Sequence, residues 1–415
     1  MQPARSDVLV LGGGVIGLAC ALFLLRAGRS VTVLEAKTAG SGSSHGNCGT
    51  ITPSHLPLPA PGTVAKGLKW MLKRDAPLYV QPRLDPTLLL WLLHFAGRCN
   101  ERDFIATARI KTELLLRSRR LLGELIRDEQ LQCEFEDSGT LYVYRDTQNF
   151  AASHSEATLL REVGVRVETL DGATARQREP ALNDSIVGAH FHPGDARLRP
   201  NKYLAELARA VREAGGLIEE HTSIEGFEVE AGRLQRVRTA RGDYAGDEVV
   251  FALGAWSPLV GAQLDLKLPI QPGKGYSITY ARPKAAPVIP LVLKERNVCV
   301  TSWGSGYRLG STMEFSGFDR TMNRMRLAAL SRGAAEYLHE PVGPEIEEEW
   351  YGWRPMTYDD LPILGRAPKL SNLTLATGHG MLGISLSAVT GLLISELLTG
   401  RKPSLDLAPY SPQRF

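Results

Sequence analysis

Cysteine is scarce and poorly placed for crosslinking. The five residues, Cys20, Cys48, Cys99, Cys133 and Cys299, are odd in number and include no CxxC pair and no Cys/His cluster. That argues against a disulfide framework, a zinc site or an iron–sulfur cluster held by this chain. No metal is expected, and a reducing, cytoplasmic compartment fits best. No apolar run approaches the roughly 18 residues that a membrane-spanning helix needs. A first strand starting by Asp7 leaves no room for a signal peptide. Net charge is also slight, 48 − 45 = +3, so bulk nucleic-acid binding is not expected. Neither internal repeats nor a low-complexity tail occur, and no His/Asp dyad suggests acid–base catalysis.

Glycine, by contrast, is abundant, at 41 of 415 residues. "DVLVLGGGVIGLACALFLLRAGRSVTVLE" reads as a buried strand over 7–11, a helix over 15–27 stopped by Gly28, and a second buried strand over 30–34. Gly12, Gly14 and Gly17 fit GxGxxG at the strand-to-helix turn. Gly12 permits the tight turn, Gly14 lets backbone approach a pyrophosphate, and Gly17 lets the helix sit close on the strand. The helix N-terminus, with Val15 and Ile16 in its first turn, would face the phosphates with free N–H groups. Glu35, followed by Ala36, ends the second strand where an acid can accept ribose hydroxyls. An acid there disfavours a 2′-phosphate, so NADP is not expected, while the spacing alone leaves NAD and FAD both open.

The next stretch, "SGSSHGNCGTITPSH", is small and polar where a nicotinamide dehydrogenase would usually continue into more βαβ units. This N-terminal pattern resembles the D-amino acid oxidase and glycine oxidase superfamily of FAD enzymes. "GNCGTITPSHLPLPAPGTVAKGLKWMLKRDAPL" is similar to bacterial D-amino acid dehydrogenases. The resemblance implies non-covalent FAD wrapped by Ser44, Asn47, Cys48 and Gly49. Cys48 is read as a small filler, since no base stands beside it. "GDEVVFALGAWSP" resembles the family's cofactor-passing turn, at Gly254. "NLTLATGHGMLGISLSAVTGLLISELLTG" resembles its closing strand–turn–helix, with Gly380, Met381, Leu382, Gly383 and Ile384 at the flavin edge. Helix N–H groups there would stabilise an anionic reduced flavin. His379 is either a flavin or substrate neighbour or a turn histidine bonded to backbone.

The fold class expected is α/β: a Rossmann-like FAD-binding domain from residues 1–52, 196–260 and 350–415, and an α+β substrate domain with an antiparallel sheet from 53–195 and 261–349. A helix from about Pro200 to Ala214 should bury Leu204, Leu207, Ala208 and Val211. "GFEVEAGRLQRVRTARGDYAG" alternates as a hairpin.

"GWRPMTYDDLPILG" places Arg354 in a proline-punctuated apolar stretch. A buried arginine needs a partner, so either Asp359 or Asp360 pairs with it, or a ligand does. The motif resembles the superfamily's marker, built here from Gly352, Arg354, Pro355, Asp360, Pro362 and Gly365. The resemblance implies that Arg354 clamps a substrate carboxylate, placing Cα–H over flavin N5 for hydride transfer. A planar guanidinium suits a carboxylate bidentately. Tyr276, in "GKGYSI", occupies a strand that lines the substrate face in the family. It is the tyrosine favoured over Tyr307, Tyr351 and Tyr358.

The charge is uneven: residues 64–120 hold twelve Lys/Arg against five Asp/Glu, net +7. Within 64–76, Lys66, Lys69, Lys73 and Arg74 accompany Val64, Leu68, Trp70, Met71 and Leu72. Such a basic amphipathic helix either rests on an anionic membrane, at the inner face where a quinone acceptor would lie, or packs on its own domain. The expected substrate is a small D-amino or imino acid, with D-proline or hydroxyproline isomers suggested by the "GNCG…PSH" loop. The alternatives are an oxygen-using glycine or sarcosine oxidase, or the FAD subunit of a larger dehydrogenase.

Overall fold

The computed structural model describes residues 4–71 and 77–415; Leu72, Lys73 and Arg74 of the basic stretch lie outside them. Two large sheets organise the chain. The first has eight strands and a parallel centre, ordered Gly242–Phe251, Ala4–Leu11, Val31–Leu34, Leu217–Glu219. Leu373–Thr377 joins in parallel beside the end of Gly242–Phe251. The hairpin Ile224–Glu230/Arg233–Thr239 turns through Ala231 and Gly232, both at positive φ.

Strand alternation sorts the side chains of Ala4–Leu11 to two cores. Val8 and Val10 face a core shared with the helices Val15–Arg26, Pro200–Glu213 and Gly383–Leu398. Leu9 and Leu11 face the opposite core, with Val249, Phe251 and Leu375. Pro200–Glu213 buries Leu204, Leu207, Ala208 and Val211, as its 3.6-residue spacing predicts.

The second sheet has nine strands and is mostly antiparallel. Its centre pairs Ile270–Tyr280 with both Ile346–Thr357 and Gly306–Phe315, and the latter with Val298–Trp303. Its two faces differ in chemistry. Tyr276, Ile278, Leu309, Val298, Val300, Leu291 and Leu141 face an apolar core with helix Arg324–Ala335. The register places Ser277, Gly310 and Cys299 in one row and Thr279, Arg308 and Thr301 in the next, on the other face.

Two expected domain boundaries differ from this arrangement. Strand Ile346–Thr357 runs unbroken through residue 350 and pairs in the second sheet. Helix Glu101–Asp128, expected in the substrate domain, buries Leu114, Leu115, Leu122 and Leu125 in the same core as Val15–Arg26 and Gly383–Leu398.

Candidate active site

The glycine turn is built as the fingerprint predicts. Gly12 has φ +104°, and a Cβ there would sit 2.6 Å from the Ala252 carbonyl oxygen. A Cβ on Gly17 would overlap the Gly12 carbonyl, so helix and strand meet at a distance only glycine allows. Gly14 faces open space and caps Val15–Arg26 without a side-chain cap or first-turn acid. The first-turn N–H groups, from Val15 and Ile16 onward, are therefore left for an anion. Glu35 is fixed by accepting the N–H groups of Gly13 (2.8 Å) and Lys37 (2.9 Å), and Ala36 beside it is exposed.

The polar loop is tied to both sheets. The Asn47 side chain accepts the Gly49 N–H at 2.8 Å and donates to the Met381 carbonyl at 3.3 Å. The Ser44 carbonyl accepts the Asn47 N–H. This joins the loop to the turn Gly378–Leu382, where Gly378 and Gly380 have positive φ. Helix Gly383–Leu398 also starts without a side-chain cap, with Ile384 buried behind it. A Cβ on Gly383 would lie 3.6 Å from the Val15 side chain, so the two uncapped helix starts converge. Gly254 has φ +54° and likewise faces open space.

One anchor of this loop was not anticipated. Arg308, 1% exposed, donates to the carbonyls of His45 (2.9 Å) and Asn47 (2.8 Å) and to Thr279 Oγ1 (2.9 Å). Glu348 lies 3.4 Å away as its counter-charge. The available signal was an arginine at an otherwise buried position of a strand.

Arg354 stands opposite Gly273 in the register, with its guanidinium over Gly275, where a Cβ would overlap it. Nη1 donates to the Thr312 carbonyl at 2.7 Å. Neither nearby aspartate partners it: Asp359 pairs with Arg414 at 2.8 Å, and Asp360 pairs with Lys111. Among the described residues Arg354 forms no carboxylate ion pair. Burial pulls its pKa down, with the nearby Cys48 and Cys299 thiols opposing. On the face that carries Arg308 and Cys299, the buried Ser277 Oγ and Thr301 Oγ1 lack hydrogen-bond partners among the described residues. Leaving such groups bare costs about 1–3 kcal/mol each. An apolar cluster of Leu88, Trp91, Met356 and Tyr358, with Met313 and Met381 packed against it, flanks the arginine.

Two expected catalytic residues lie elsewhere. Tyr276 points to the apolar face of the sheet, and its hydroxyl donates to Glu314 at 3.0 Å. Its neighbour Gly275 faces the arginine instead, because successive strand residues alternate faces. His379 turns inward, with Nε2 2.9 Å from Thr390 Oγ1, and burial lowers its pKa to about 3. The imidazole is thus tied to a side-chain hydroxyl, where a bond to backbone was the alternative expected. The carboxylate clamp is therefore the one catalytic candidate of the three that stands free for a ligand.

A flavin dinucleotide fits these features. Two converging helix starts offer N–H groups to anions, the first turn is open beside Gly14, and the orphaned Ser277 and Thr301 hydroxyls call for a polar occupant. Comparison with known proteins agrees. The profile of the FAD-dependent oxidoreductase family matches residues 7–397. A D-amino acid dehydrogenase of Xanthobacter autotrophicus is 35% identical over 418 residues, covering 98% of this chain and 99% of the relative. One from Cereibacter sphaeroides is 34% identical over 415 residues, covering 98% and 95%. Among solved structures, glycine oxidase from Geobacillus kaustophilus superposes with a TM-score of 0.80 at 26% identity, covering 99% of each chain. The L-proline dehydrogenase of P. horikoshii has a TM-score of 0.79 at 21% identity, covering 100% and 98%, and shares the fold.

Proposed function

Because the chain belongs to the FAD-dependent oxidoreductase family, we propose that it dehydrogenates small D-amino or imino acids, with Arg354 holding the substrate carboxylate. The carrying observation is the contrast between two arginines on one sheet face. Arg308 has its counter-charge and three acceptors; among the described residues Arg354 has a single backbone acceptor and no carboxylate. A carboxylate arriving from outside completes the fork.

Bound FAD supplies the hydride acceptor. The chain's own residues do the positioning. Ser44, Asn47, Cys48 and Gly49 border the cofactor, the starts of helices Val15–Arg26 and Gly383–Leu398 face its anionic groups, and Arg354 fixes the acid so that Cα–H is presented in one orientation. No side-chain base is required if the amine binds neutral. The Met313, Met356 and Met381 side chains give the substrate an apolar, deformable wall. That wall suits a compact or cyclic side chain such as that of D-proline or a hydroxyproline isomer.

Electrons pass to a non-oxygen acceptor, with a quinone at a membrane surface as the fitting case. Helix Thr63–Met71 exposes Val64 and Leu68 beside exposed Lys66 and Lys69, and Leu84, Leu89, Leu90 and Leu93 are exposed on and before helix Pro86–Arg98. Apolar and basic groups together fit an anionic bilayer. No described helix is long and apolar enough to cross one. A second reading, an oxygen-using glycine or sarcosine oxidase, is favoured by the likeness to glycine oxidase. One experiment separates them. The yellow protein is mixed anaerobically with D-proline, hydroxyproline isomers, D-alanine, glycine and sarcosine, and oxygen is then admitted. Bleaching by a D-amino acid with slow reoxidation supports the dehydrogenase. Fast reoxidation after glycine or sarcosine supports the oxidase. No bleaching by any of these acids overturns both.

A further inference from the structure

We propose that Cys48 and Cys299 form a thiol-modification site in the wall of the candidate active site, which takes a small disulfide and closes to an intramolecular Cys48–Cys299 disulfide that slows substrate oxidation. Its effect on turnover rests on the proposed function; the site itself does not.

The two residues come from distant segments, the loop before Gly49 and the strand Val298–Trp303. Cys299 is the direct cross-strand partner of Gly310. Cβ positions of such partners lie about 4.5–5.5 Å apart. A Cβ on Gly310 would sit 2.6 Å from Cys48 Sγ, so the Cys48 sulfur fills the space that a side chain at 310 would take, beside Cys299. Both residues are half-buried, and both thiols feel the charge of Arg354.

Their chemistry differs from that of the other cysteines. Burial pushes the Cys20 and Cys133 thiols up to about 12 and Cys99 to about 11, which makes them inert. Cys48 is held below its ordinary value, first by a hydrogen bond from Cys299, then by Arg354 and Arg308, against desolvation. The same contact raises Cys299. One thiol is thus the nucleophile and the other the resolving group. The Cys48 thiolate attacks a small disulfide RSSR, forming a Cys48–S–S–R mixed disulfide and releasing RS⁻. Cys299 gives up its proton to RS⁻ and attacks the Cys48 sulfur, releasing a second RS⁻. Two protein thiols are oxidised, and one external disulfide is reduced to two thiols. The product fastens the polar loop to the second sheet next to Arg354.

The test treats the FAD-loaded protein anaerobically with oxidised glutathione, alkylates free thiols and maps peptides by mass. A linked Cys48/Cys299 peptide is expected, with Cys20, Cys99 and Cys133 alkylated. Displacing site groups by an ångström is costly, so flavin bleaching by the active amino acid should slow about tenfold or more and recover with dithiothreitol. Cys299→Ser should yield only a Cys48–glutathione adduct and no linked peptide, whatever its own bleaching rate before treatment. Free Cys48 and Cys299 after treatment would overturn the proposal, as would a linked peptide with unchanged bleaching. A linked peptide in a protein that no amino acid bleaches would uphold the thiol site, remove its proposed effect on turnover, and overturn the substrate reading instead.

Discussion

Replacing Arg354 by Met should separate function from stability in a way that a structural arginine could not. A substrate carboxylate in the fork would accept two charge-assisted hydrogen bonds, worth about 1.5–3 kcal/mol each. Losing both removes about 3–6 kcal/mol, and each 1.4 kcal/mol is tenfold, so kcat/KM should fall roughly 10²- to 10⁴-fold. The folded protein loses far less. Among the described residues its guanidinium makes one strong bond, to the Thr312 carbonyl, and a long one to Met313 Sδ, and it sits in a partly buried place without a carboxylate counter-charge. Removing that bond and removing the desolvated charge act in opposite directions, so stability should change by no more than about 1 kcal/mol. Arg354→Lys keeps the charge but loses the planar fork, and should cost about one bond, roughly 10- to 150-fold. The assay is anaerobic stopped-flow bleaching over a range of substrate concentrations, with FAD content and thermal melting measured on the same samples. A melting temperature lowered by many degrees, with bleaching unchanged in its concentration dependence, would refute the clamp and make Arg354 a structural residue.

Three further substitutions test the supporting geometry. Gly275→Ala places a Cβ where the guanidinium lies, so substrate KM should rise with FAD content unchanged; absorbance at saturating FAD checks this, and loss of cofactor instead would relocate Gly275. Arg308→Met removes the ties to the His45 and Asn47 carbonyls. FAD should bind at least about tenfold more weakly, because charge-assisted bonds of about 1.5–3 kcal/mol each are lost, and fluorescence titration of released flavin would show otherwise. Asp195 is fully buried against Ser54 and Thr140, with Tyr142 and Arg119 near, and desolvation raises its carboxyl from 3.8 to about 7. A raised folded-state value means that stability is fully present below about pH 3.8 and lost as pH rises towards 7. Asp195→Asn should therefore flatten that fall, and a wild-type-minus-variant melting difference that stays constant from pH 4 to 8 would contradict the assignment.

What the sequence disclosed follows the range of the interactions involved. The turn at Gly12, Gly14 and Gly17 is a local contact, in which a helix passes over the strand just before it, so residue spacing carries nearly all the information. Arg354 was legible for a related reason: a cation between prolines and apolar residues demands a partner, and the question could be posed without the fold. Its answer could not, because the rival aspartates are taken by residues far along the chain, Lys111 for Asp360 and Arg414 for Asp359. Helix Glu101–Asp128 shows the same limit, since its spacing reveals an apolar face but not which core receives it. Tyr276 failed on parity. The strand Ile270–Tyr280 is buried throughout, so burial does not mark which face is which; only the alternation of Tyr276, Ile278 and Tyr280 with Ser277 and Thr279 does, and it puts the tyrosine on the apolar face. Both faces are packed, one against apolar side chains and one against the polar loop, and a shift of one residue exchanges them. Read with the pairing known, the same strand gives the opposite assignment: Gly273 and Gly275 are small because Met313, Met356 and Arg354 occupy the space beside them. On this face the space around Arg354 is set partly by residues with no side chain at all, which carry no functional group to mark them in the sequence. Arg308 completes the argument from the other side. Its alternation partner Gly310 also lacks a side chain, which leaves room for Cys48 of the loop that its guanidinium holds.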